Sequence, residues 1–475
     1  MEVAIKILLF LLSGALVVTG FWHVFKPLPG GISFESRFRP IHEVEFLADH
    51  TWVDDEGRRH TDQEIFDRIF ELIGQASELV VLDMFLFNAM EGPVGDIHRP
   101  LSRELTDVLL ERIREKPQLT VVVITDPFNR LYGGAEAAHF DELERAGARV
   151  VYTDLNPLRD SNPAWSAIWR LCCQWFGNST RGWLPNLVGD EPVTLRTYLE
   201  MLNFKANHRK ALVADEGDDW VGLVTSGNPH DASSAHVNTA LVFRGPLALD
   251  LLESEAAVLR MSGEPVPFRV PEYEKPVPES SLRGRVLTES RIRDAALEMI
   301  HSAADGDRLD IAMFYFSHGE LVRAVEEAAA RGVKVRALLD PNKDAFGREK
   351  RGIPNRQTGR RFHDGGVEVR WCLTSGEQCH SKQMLLQRAG GSAELLTGSA
   401  NFTRRNLDDY NLETNIQVIG PADAPLMEEA AVWFERRWHN EPDWRVSLPF
   451  EAFEDRSLSR RVQAWIGENL GFSSF

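Results

Sequence analysis

The sequence carries two copies of a histidine–lysine motif whose side chains could act on a phosphodiester. The first copy reads His208-Arg209-Lys210, and the second reads His380-Ser381-Lys382. Each is followed by a polar turn that ends in an asparagine, Asn228 after the first copy and Asn401 after the second. The spacing from histidine to asparagine is 20 residues in the first copy and 21 in the second. These matched sets predict one site with two-fold symmetry.

The spacing within each motif places its histidine and lysine on one face of a strand. The residues that follow each histidine are strand-like, and residues i and i+2 of a strand point to the same face. Lysines and asparagine amides can hold the phosphate oxygens while charge shifts in the transition state. One imidazole can attack phosphorus while the other protonates the departing alcohol. This scheme calls for no metal and no cofactor.

The duplicated motif resembles the HKD motif of the phospholipase D superfamily, in particular that of bacterial phosphatidyltransferases similar to cardiolipin synthases. The resemblance covers nearly the whole chain after the N-terminal segment. It implies a covalent phosphohistidine that water or an alcohol resolves. The implied catalytic set is His208, Lys210, Asp215, His380 and Lys382. The implied phosphate-binding and supporting set is Asn228, Ser399, Asn401 and Glu413. Which histidine is the nucleophile stays open.

The two copies differ in their acidic residues. Asp215, expected to orient the first motif, is replaced by Gln387 at the matching place in the second. Conversely, Glu413 fits the family's downstream Asn-x-Glu pattern, where the first copy has Asn238-Thr239-Ala240. Besides an active enzyme, this split leaves open a degenerate member that uses the fold as a membrane scaffold.

The duplication extends beyond the motifs. Leu79–Phe87 matches Leu309–Phe316, and each is followed by a helical stretch and a second apolar strand that ends in Asp-Pro. Strands that alternate with helices predict an α/β fold. We expect two pseudo-symmetric phospholipase D-like α-β-α sandwich domains with mixed sheets. Packing about a pseudo-two-fold axis would complete the site within one chain, so catalysis requires no oligomer.

The predicted domain boundaries follow the repeats and a proline-rich stretch between them. They comprise a transmembrane anchor or signal segment at 1–30, a first domain at 40–262 with a Trp-rich insertion at about 156–200, a linker at 263–285, a second domain at 286–445 and a C-terminal extension at 446–475.

The N-terminal segment is long and apolar. Ile7–Phe25 is a 19-residue stretch without Asp, Glu, Lys or Arg. At ~1.5 Å rise per residue, it would cross most of a ~30 Å hydrocarbon core. We therefore expect a single anchor in a bacterial-type inner membrane. The alternative is a signal peptide whose cleavage would leave a periplasmic protein.

The Trp-rich insertion and the overall charge bear on the substrate. Residues 164–177 are dense in tryptophan and apolar side chains, which suits a segment that dips into lipid or a helix buried against the core. The net charge is −18, whereas proteins that bind nucleic acid usually present a basic surface. We therefore expect a phospholipid substrate at a membrane and no nucleic acid. A metal-independent nuclease is the alternative.

Several other polar residues have simpler interpretations. The four cysteines, Cys172, Cys173, Cys372 and Cys379, form no recognisable disulfide framework, which favours a reducing compartment. Asp126 and Asp340 stand at equivalent strand ends before a proline, where turn or capping roles are expected. His236 lies in the Asn turn of the first repeat, where it could line the cleft, and a surface or loop position is the favoured interpretation.

Overall fold

The computed structural model describes residues 1–90, 97–179, 181–189, 191–345 and 348–471. In the first half of the chain, the helices and strands are, in order, α1 (Glu2–Phe25), β1 (Arg39–Pro40), β2 (Glu45–Ala48), β3 (His50–Val53), β4 (Arg59–Asp62), α2 (Ile65–Gln75), β5 (Leu79–Met84), α3 (Leu101–Glu115), β6 (Thr120–Thr125), α4 (Ala138–Ala146), β7 (Arg149–Tyr152), α5 (Pro163–Ile168), α6 (Leu195–Met201), β8 (Lys210–Glu216), β9 (Asp219–Thr225), β10 (Thr239–Arg244) and α7 (Pro246–Met261).

In the second half, the elements are β11 (Arg283–Thr288), α8 (Ser290–Ser302), β12 (Arg308–Met313), α9 (Gly319–Ala330), β13 (Lys334–Leu339), β14 (Asp344–Ala345), β15 (Arg348–Glu349), α10 (Asn355–Asp364), β16 (Glu368–Cys372), β17 (Lys382–Gln387), β18 (Ser392–Gly398), α11 (Arg404–Leu407), β19 (Thr414–Pro421), α12 (Pro425–His439), β20 (Ser447–Pro449) and α13 (Leu458–Leu470).

Each half forms one large mixed sheet, and the two sheets repeat the same strand order. The first runs β2-β10-β9-β8-β5-β6-β7, and the second runs β1-β11-β19-β18-β17-β12-β13-β16-β20. Without the edge strands β1 and β20, the two orders coincide. Three strands at one end of each sheet are parallel, whereas β5 and β12 pair with the motif strands β8 and β17 in antiparallel fashion. The predicted α/β class with two pseudo-symmetric domains is confirmed.

The halves share a continuous hydrophobic core. Every residue of β5 is buried, as expected for an apolar strand that is covered on both faces. Helix α7 contacts β8 and β9 of the first half and β11 of the second. One cluster of buried side chains joins Val213, Leu251, Leu395 and Ile416 from both halves. This packing fixes the two sheets relative to each other and brings the starts of β8 and β17 together.

The segment between the halves is ordered against this core. Residues 262–282 contain no helix or strand. The partly buried side chains of Val266, Phe268 and Tyr273 pack against the shared core. Strand β11 already begins at Arg283, inside the 263–285 range that the sequence predicts as linker.

Helix α1 is long and apolar enough to cross a membrane by length and composition. Its 24 residues correspond to about 36 Å at the α-helical rise. Gly20 is buried, whereas nearly all of its large apolar side chains are exposed. This helix is consistent with the expected membrane anchor.

Candidate active site

The two motif histidines lie at the boundary between the halves, each just before a central strand. The main-chain N–H of His208 donates to the carbonyl of Leu412, at 2.9 Å. The N–H of His380 donates to the carbonyl of Val237, at 2.8 Å. Each motif is therefore hydrogen-bonded to the other half, and the predicted two-fold arrangement is present in the backbone.

The two lysines have equivalent environments. Lys210 and Lys382 are buried, and each Nζ donates to the main-chain carbonyl of the histidine in its own motif, at 2.7 Å and 2.6 Å. The same ammonium groups lie 5.0 Å and 5.2 Å from the ring centroids of Phe85 and Phe314. Burial lowers the pKa of Lys210 to about 7 against the pull of nearby carboxylates. Burial also lowers the pKa of Lys382 well below its ordinary value. Burial therefore disfavours the charged form of both lysines, and an anion bound beside them would favour that form.

The Nδ1 atoms of the two histidines have different partners. Nδ1 of His208 lies 2.9 Å and 3.0 Å from the carboxylate oxygens of Glu413. Nδ1 of His380 lies 3.2 Å from Oδ1 of Asn238. Because both partners present oxygen acceptors, each Nδ1 carries the proton and each Nε2 keeps its lone pair. Each histidine is again oriented by the opposite half.

These contacts correct the sequence alignment of the repeats. Ser399 Oγ donates to Oε2 of Glu413 at 2.5 Å. In the first half, Ser226 Oγ donates to Oδ1 of Asn238 at 3.0 Å. Glu413 is thus the counterpart of Asn238, and the match to Ala240 was wrong by two residues. The site carries one carboxylate and one neutral amide at equivalent positions.

The electrostatics of the two histidines differ accordingly. Burial lowers the pKa of His208 to about 4, while Glu413 acts in the opposite direction. Burial and the positive charges of Lys382 and Lys210 lower the pKa of His380 well below its ordinary value. Burial raises the pKa of Glu413, but its interactions with His208, Lys210 and the Ser399 hydroxyl outweigh burial, and the net pKa is lowered. Glu413 is therefore ionised at neutral pH.

A buried ion cluster contacts the main chain of Glu413. Arg209 lies between Glu255 and Glu289, at 3.1 Å and 2.8 Å, and all three are buried. Oε1 of Glu289 also accepts the main-chain N–H of Glu413, at 3.1 Å. The middle residue of the first motif therefore helps to position the carboxylate that orients His208.

The two predicted phosphate-binding asparagines lie in equivalent turns. Asn228 and Asn401 are both buried. Oδ1 of Asn228 accepts the main-chain N–H of Leu86, at 3.2 Å, which leaves its amide group as a donor. Ser399, predicted as a supporting residue, bonds Glu413 and accepts the N–H of Thr414, at 2.9 Å. It acts on the site through Glu413.

Asp215 is the predicted site residue that the structure separates from the others. Its carboxylate lies near the far end of β8 and accepts four hydrogen bonds from Ser77–Leu79, at 2.8 to 2.9 Å. It anchors the start of β5 and has no place beside the histidines. At the corresponding end of β17, Gln387 accepts a hydrogen bond from Arg308. The replacement of the acid by Gln387 is therefore remote from the reacting groups.

Two other aspartates have the structural role that the sequence predicts. Oδ2 of Asp126 accepts the N–H of Asn207, at 2.7 Å, and Oδ2 of Asp340 accepts that of Cys379, at 2.8 Å. Asn207 and Cys379 each precede a motif histidine. Burial raises the pKa of both carboxyl groups to about 7. The aspartates fix the backbone that presents the histidines.

The cysteines form two disulfides, Cys172–Cys173 and Cys372–Cys379. The expectation of unpaired cysteines was therefore wrong. In the first half, the equivalent place is taken by a hydrogen bond from Nδ2 of Asn207 to Oγ1 of Thr153, at 2.9 Å. The second half thus has a covalent bond next to its motif where the first half has a hydrogen bond. Disulfides are typical of oxidising compartments.

Three aromatic residues of the site were missed or misjudged from sequence. The rings of Phe85 and Phe314 each lie 4.8 Å from the histidine of their half. The two phenylalanines occupy equivalent places in the repeats, and this match was the sequence signal that could have identified them. His236 lies in a loop, as the sequence favours, but it is buried rather than at the surface, and its ring lies 5.8 Å from that of His380.

Comparison with known proteins finds a family for part of the chain and a similar fold for nearly all of it. Residues 296–438, which contain the second motif and Glu413, match the family described as "Cardiolipin synthase, PLD-like domain". No curated protein matches the sequence. The fold is similar to that of phosphatidylserine synthase from Haemophilus influenzae Rd KW20, with 12% identity, a TM-score of 0.57, and coverage of 97% of this chain and 98% of that chain. At that identity, the likeness shows the fold alone.

Two further solved structures match with lower TM-scores. Polyphosphate kinase from Porphyromonas gingivalis matches with 11% identity and a TM-score of 0.46, over 89% of this chain and 52% of that chain. The phospholipase D family member Nuc from Salmonella typhimurium matches with 23% identity and a TM-score of 0.27, over 34% of this chain and 99% of that chain.

Proposed function

We propose that this chain is a membrane-bound phosphatidyltransferase of the phospholipase D superfamily that acts on glycerophospholipids, a proposal that the family match over residues 296–438 supports. The observation that carries the proposal is the pair of buried histidines, each with its Nδ1 held by an acceptor from the opposite half. Both Nε2 lone pairs are then available for a reaction at phosphorus. Two buried lysines supply the counter-charge that a phosphodiester needs.

In the first step, Nε2 of one histidine attacks phosphorus and forms a P–N bond. The P–O bond to the departing alcohol breaks, and the other histidine, protonated, gives its Nε2 proton to that oxygen. In the second step, an acceptor alcohol loses its proton to the same Nε2, its oxygen attacks phosphorus, and the P–N bond breaks. The donor lipid's phosphatidyl group has then moved to the acceptor.

We assign the nucleophile to His208. A phosphohistidine carries positive charge on its ring, and the ionised carboxylate of Glu413 at Nδ1 stabilises that charge in a water-poor site. His380 faces only the neutral amide of Asn238 and is the general acid–base. The anionic phosphodiester itself raises the pKa of His380 when it binds, because an opposite charge favours the protonated form.

The phosphate oxygens are assigned to the buried donors around the histidines. Lys210 and Lys382 provide the positive charge, and the amide groups of Asn228 and Asn401 provide neutral donors. The removal of these ammonium groups from water makes their attraction to a phosphate stronger than at the surface. The same donors would hold the phosphoryl oxygens of the covalent intermediate.

A lipid substrate is supported by the apolar surface beside the site. In the Trp-rich insertion, Trp169 is buried, whereas Trp175 is 75% exposed and Phe176 and Trp183 are also largely exposed. Exposed aromatic side chains next to a membrane-length helix suit the lipid interface. Gly20 of α1 faces this insertion, since a Cβ placed there would lie 3.5 Å from the carbonyl oxygen of Pro163.

Transfer to an alcohol is favoured over hydrolysis by the burial of the site. His208 and His380 are only 8% and 7% exposed, so water has limited access to a phosphohistidine. A second lipid with a free glycerol headgroup is the acceptor that a bilayer supplies at high local concentration. The product of that transfer would be cardiolipin. The disulfides favour the periplasmic side of an inner membrane for the two catalytic halves.

The test is an assay with the full chain in phosphatidylglycerol vesicles that contain EDTA, analysed by lipid mass spectrometry. We expect cardiolipin, or a phosphatidyl-alcohol when a short alcohol is added. His208→Ala and His380→Ala should abolish both products, whereas His301→Ala, at an exposed position on α8, should not. Phosphatidic acid as the main product would indicate a hydrolase. Absence of lipid turnover, with cleavage of single-stranded DNA instead, would refute the proposal in favour of a nuclease.

A further inference from the structure

Helix α13 has its apolar face on the outside. Its exposed side chains include five large apolar residues at helical spacing, namely Leu458, Val462, Trp465, Ile466 and Leu470. Trp465 is 59% exposed. At 100° per residue these positions share one side of the helix, whereas a helix on a soluble protein turns that side toward the core. Asn469 is the exposed polar residue within this mainly apolar stripe, and an exposed apolar patch of this kind marks an interaction surface.

Polar contacts on the opposite side hold α13 in this orientation. The carboxylate of Glu468 accepts hydrogen bonds from Ser317 Oγ, at 2.6 Å, and from the N–H of Arg404, at 2.7 Å. Gly467 is the buried residue of the helix, and it lets the backbone approach the second half closely. The helix is therefore fixed by its small and polar side, and the large side chains of its apolar side remain 36% to 69% exposed.

The stripe adjoins the other apolar elements of the chain. Just past the end of α13, a Cβ at Gly471 would lie 1.7 Å from the carbonyl oxygen of Ser161, so the two backbones touch. Two residues further along the insertion, Pro163 contacts Gly20 of α1. The C-terminal end of α13 and the end of the candidate membrane span therefore meet the same short segment of the insertion.

We propose that α13 lies in the plane of a phospholipid bilayer, with its apolar stripe in the acyl boundary. A helix with an apolar face and basic flanks adopts this position. Arg461 is exposed next to the stripe, where it can meet lipid phosphates, and the exposed Arg456 pairs with Glu454 at 2.7 Å. This location rests on the proposed membrane anchoring by α1 and is independent of the reaction chemistry. A second copy of the chain is the rival occupant of the stripe.

The contact would couple the bilayer to the catalytic site. Glu468 bonds the main chain of Arg404, at the start of α11. On the same short helix, the amide of Asn406 donates to Oε1 of Glu413. Glu413 in turn orients His208. A helix held at the lipid surface thereby keeps the opening of the site at the level of the headgroups.

Photocrosslinking of the full chain in vesicles of phosphatidylglycerol and phosphatidylethanolamine tests this location. One variant carries Trp465→p-benzoylphenylalanine, and the control carries Val432→p-benzoylphenylalanine on α12, a residue that is 56% exposed. After irradiation, intact-mass analysis should show a phospholipid adduct at position 465 and none at position 432. Both substitutions are at exposed positions, so both variants should fold.

Three results would overturn the inference. They are a protein–protein adduct at position 465, no adduct there, or equal lipid adducts at both positions. The readout is lipid contact, so it separates this inference from the proposed function. A lipid adduct without any turnover would leave the location of α13 intact and refute the chemistry.

A second measurement uses activity at the lipid surface. Trp465→Glu should reduce turnover of bilayer phosphatidylglycerol by about tenfold, since a charge at this depth opposes insertion. Turnover of a monomeric short-chain phosphodiester should stay unchanged. Val432→Glu is the matched control and should affect neither substrate. Equal activity of Trp465→Glu and wild type on vesicles would contradict the proposed contact.

Discussion

Glu413 and His208 form a hydrogen-bonded pair across the boundary between two halves that are otherwise symmetric, with Nδ1 2.9 Å and 3.0 Å from the two carboxylate oxygens. In the equivalent pair, Nδ1 of His380 lies 3.2 Å from Oδ1 of Asn238, which carries no charge. The backbone repeats, the lysines repeat and the phenylalanines repeat, but this charge does not. The charge beside the two histidines is therefore asymmetric in a site whose backbone is two-fold.

Glu413→Gln should slow formation of the covalent intermediate by about 100-fold, since an amide cannot stabilise the developing charge on His208 as a carboxylate does. Rapid-quench measurement of the phosphoenzyme would give this rate. Asn238→Ala, which removes the neutral partner of His380, is the matched variant. Equal losses in the two variants would contradict the assignment of His208 as the nucleophile.

Asp215→Asn should lower the free energy of unfolding by about 2 kcal/mol or more, because the carboxylate accepts several buried hydrogen bonds. The kcat of the folded enzyme should not change, since Asp215 is remote from both histidines. Thermal unfolding in detergent, together with activity per folded molecule, would check both points. Gln387→Asp serves as the partner experiment, and a gain of activity in that variant would show that the acid has a catalytic role.

Loss of the Cys372–Cys379 disulfide should lower both stability and activity. The loop it closes is short, with a sequence separation of 7, and closure of such a loop stabilises by about 2 to 3 kcal/mol. A Cys372→Ser/Cys379→Ser double variant should show that loss together with a reduced kcat, since Cys379 precedes His380. The Cys172→Ser/Cys173→Ser variant should keep its kcat. Non-reducing peptide mapping would confirm the pairing, and equal kcat values would contradict the role of this bond.

Acidification should weaken the contribution of His208 to stability. Burial lowers the pKa of His208 to about 4, whereas an imidazole in the unfolded chain titrates near pH ~6.5. Between these two pKa values, the imidazole is protonated in the unfolded state but not in the folded state. The stability that is present above pH ~6.5 is therefore lost as the pH falls toward 4. Between pH ~6.5 and pH ~4, the free energy of unfolding of wild type should fall by roughly 3 kcal/mol more than that of His208→Asn.

Urea unfolding of both proteins at several pH values would measure that difference. A difference that is independent of pH would contradict the lowered pKa of His208. The comparison with the variant is essential because other buried groups titrate in the same range, among them Asp126 and Asp340, whose pKa values are raised to about 7.

The sequence alone determined the features that depend on local pattern. A period of two put His208 with Lys210 and His380 with Lys382 on single strand faces, and the repeated order of apolar strands and helices implied two similar α/β domains. These inferences succeed because strand periodicity and burial depend on the order of polar and apolar residues that are close in the sequence.

Only the tertiary structure decided which distant groups serve each histidine. The alignment of the repeats missed that Asn238 is the counterpart of Glu413, because a two-residue shift in a loop does not disturb either apolar strand. The alignment also could not show that Asp215 lies outside the site, since His208 and Asp215 belong to one motif but lie at opposite ends of one strand. The pairing of Cys372 with Cys379, 7 residues apart, depends on the conformation of the loop between them, and the outward face of α13 depends on contacts between segments far apart in the chain. Such contacts are set by how the sheets pack, which local sequence pattern does not encode.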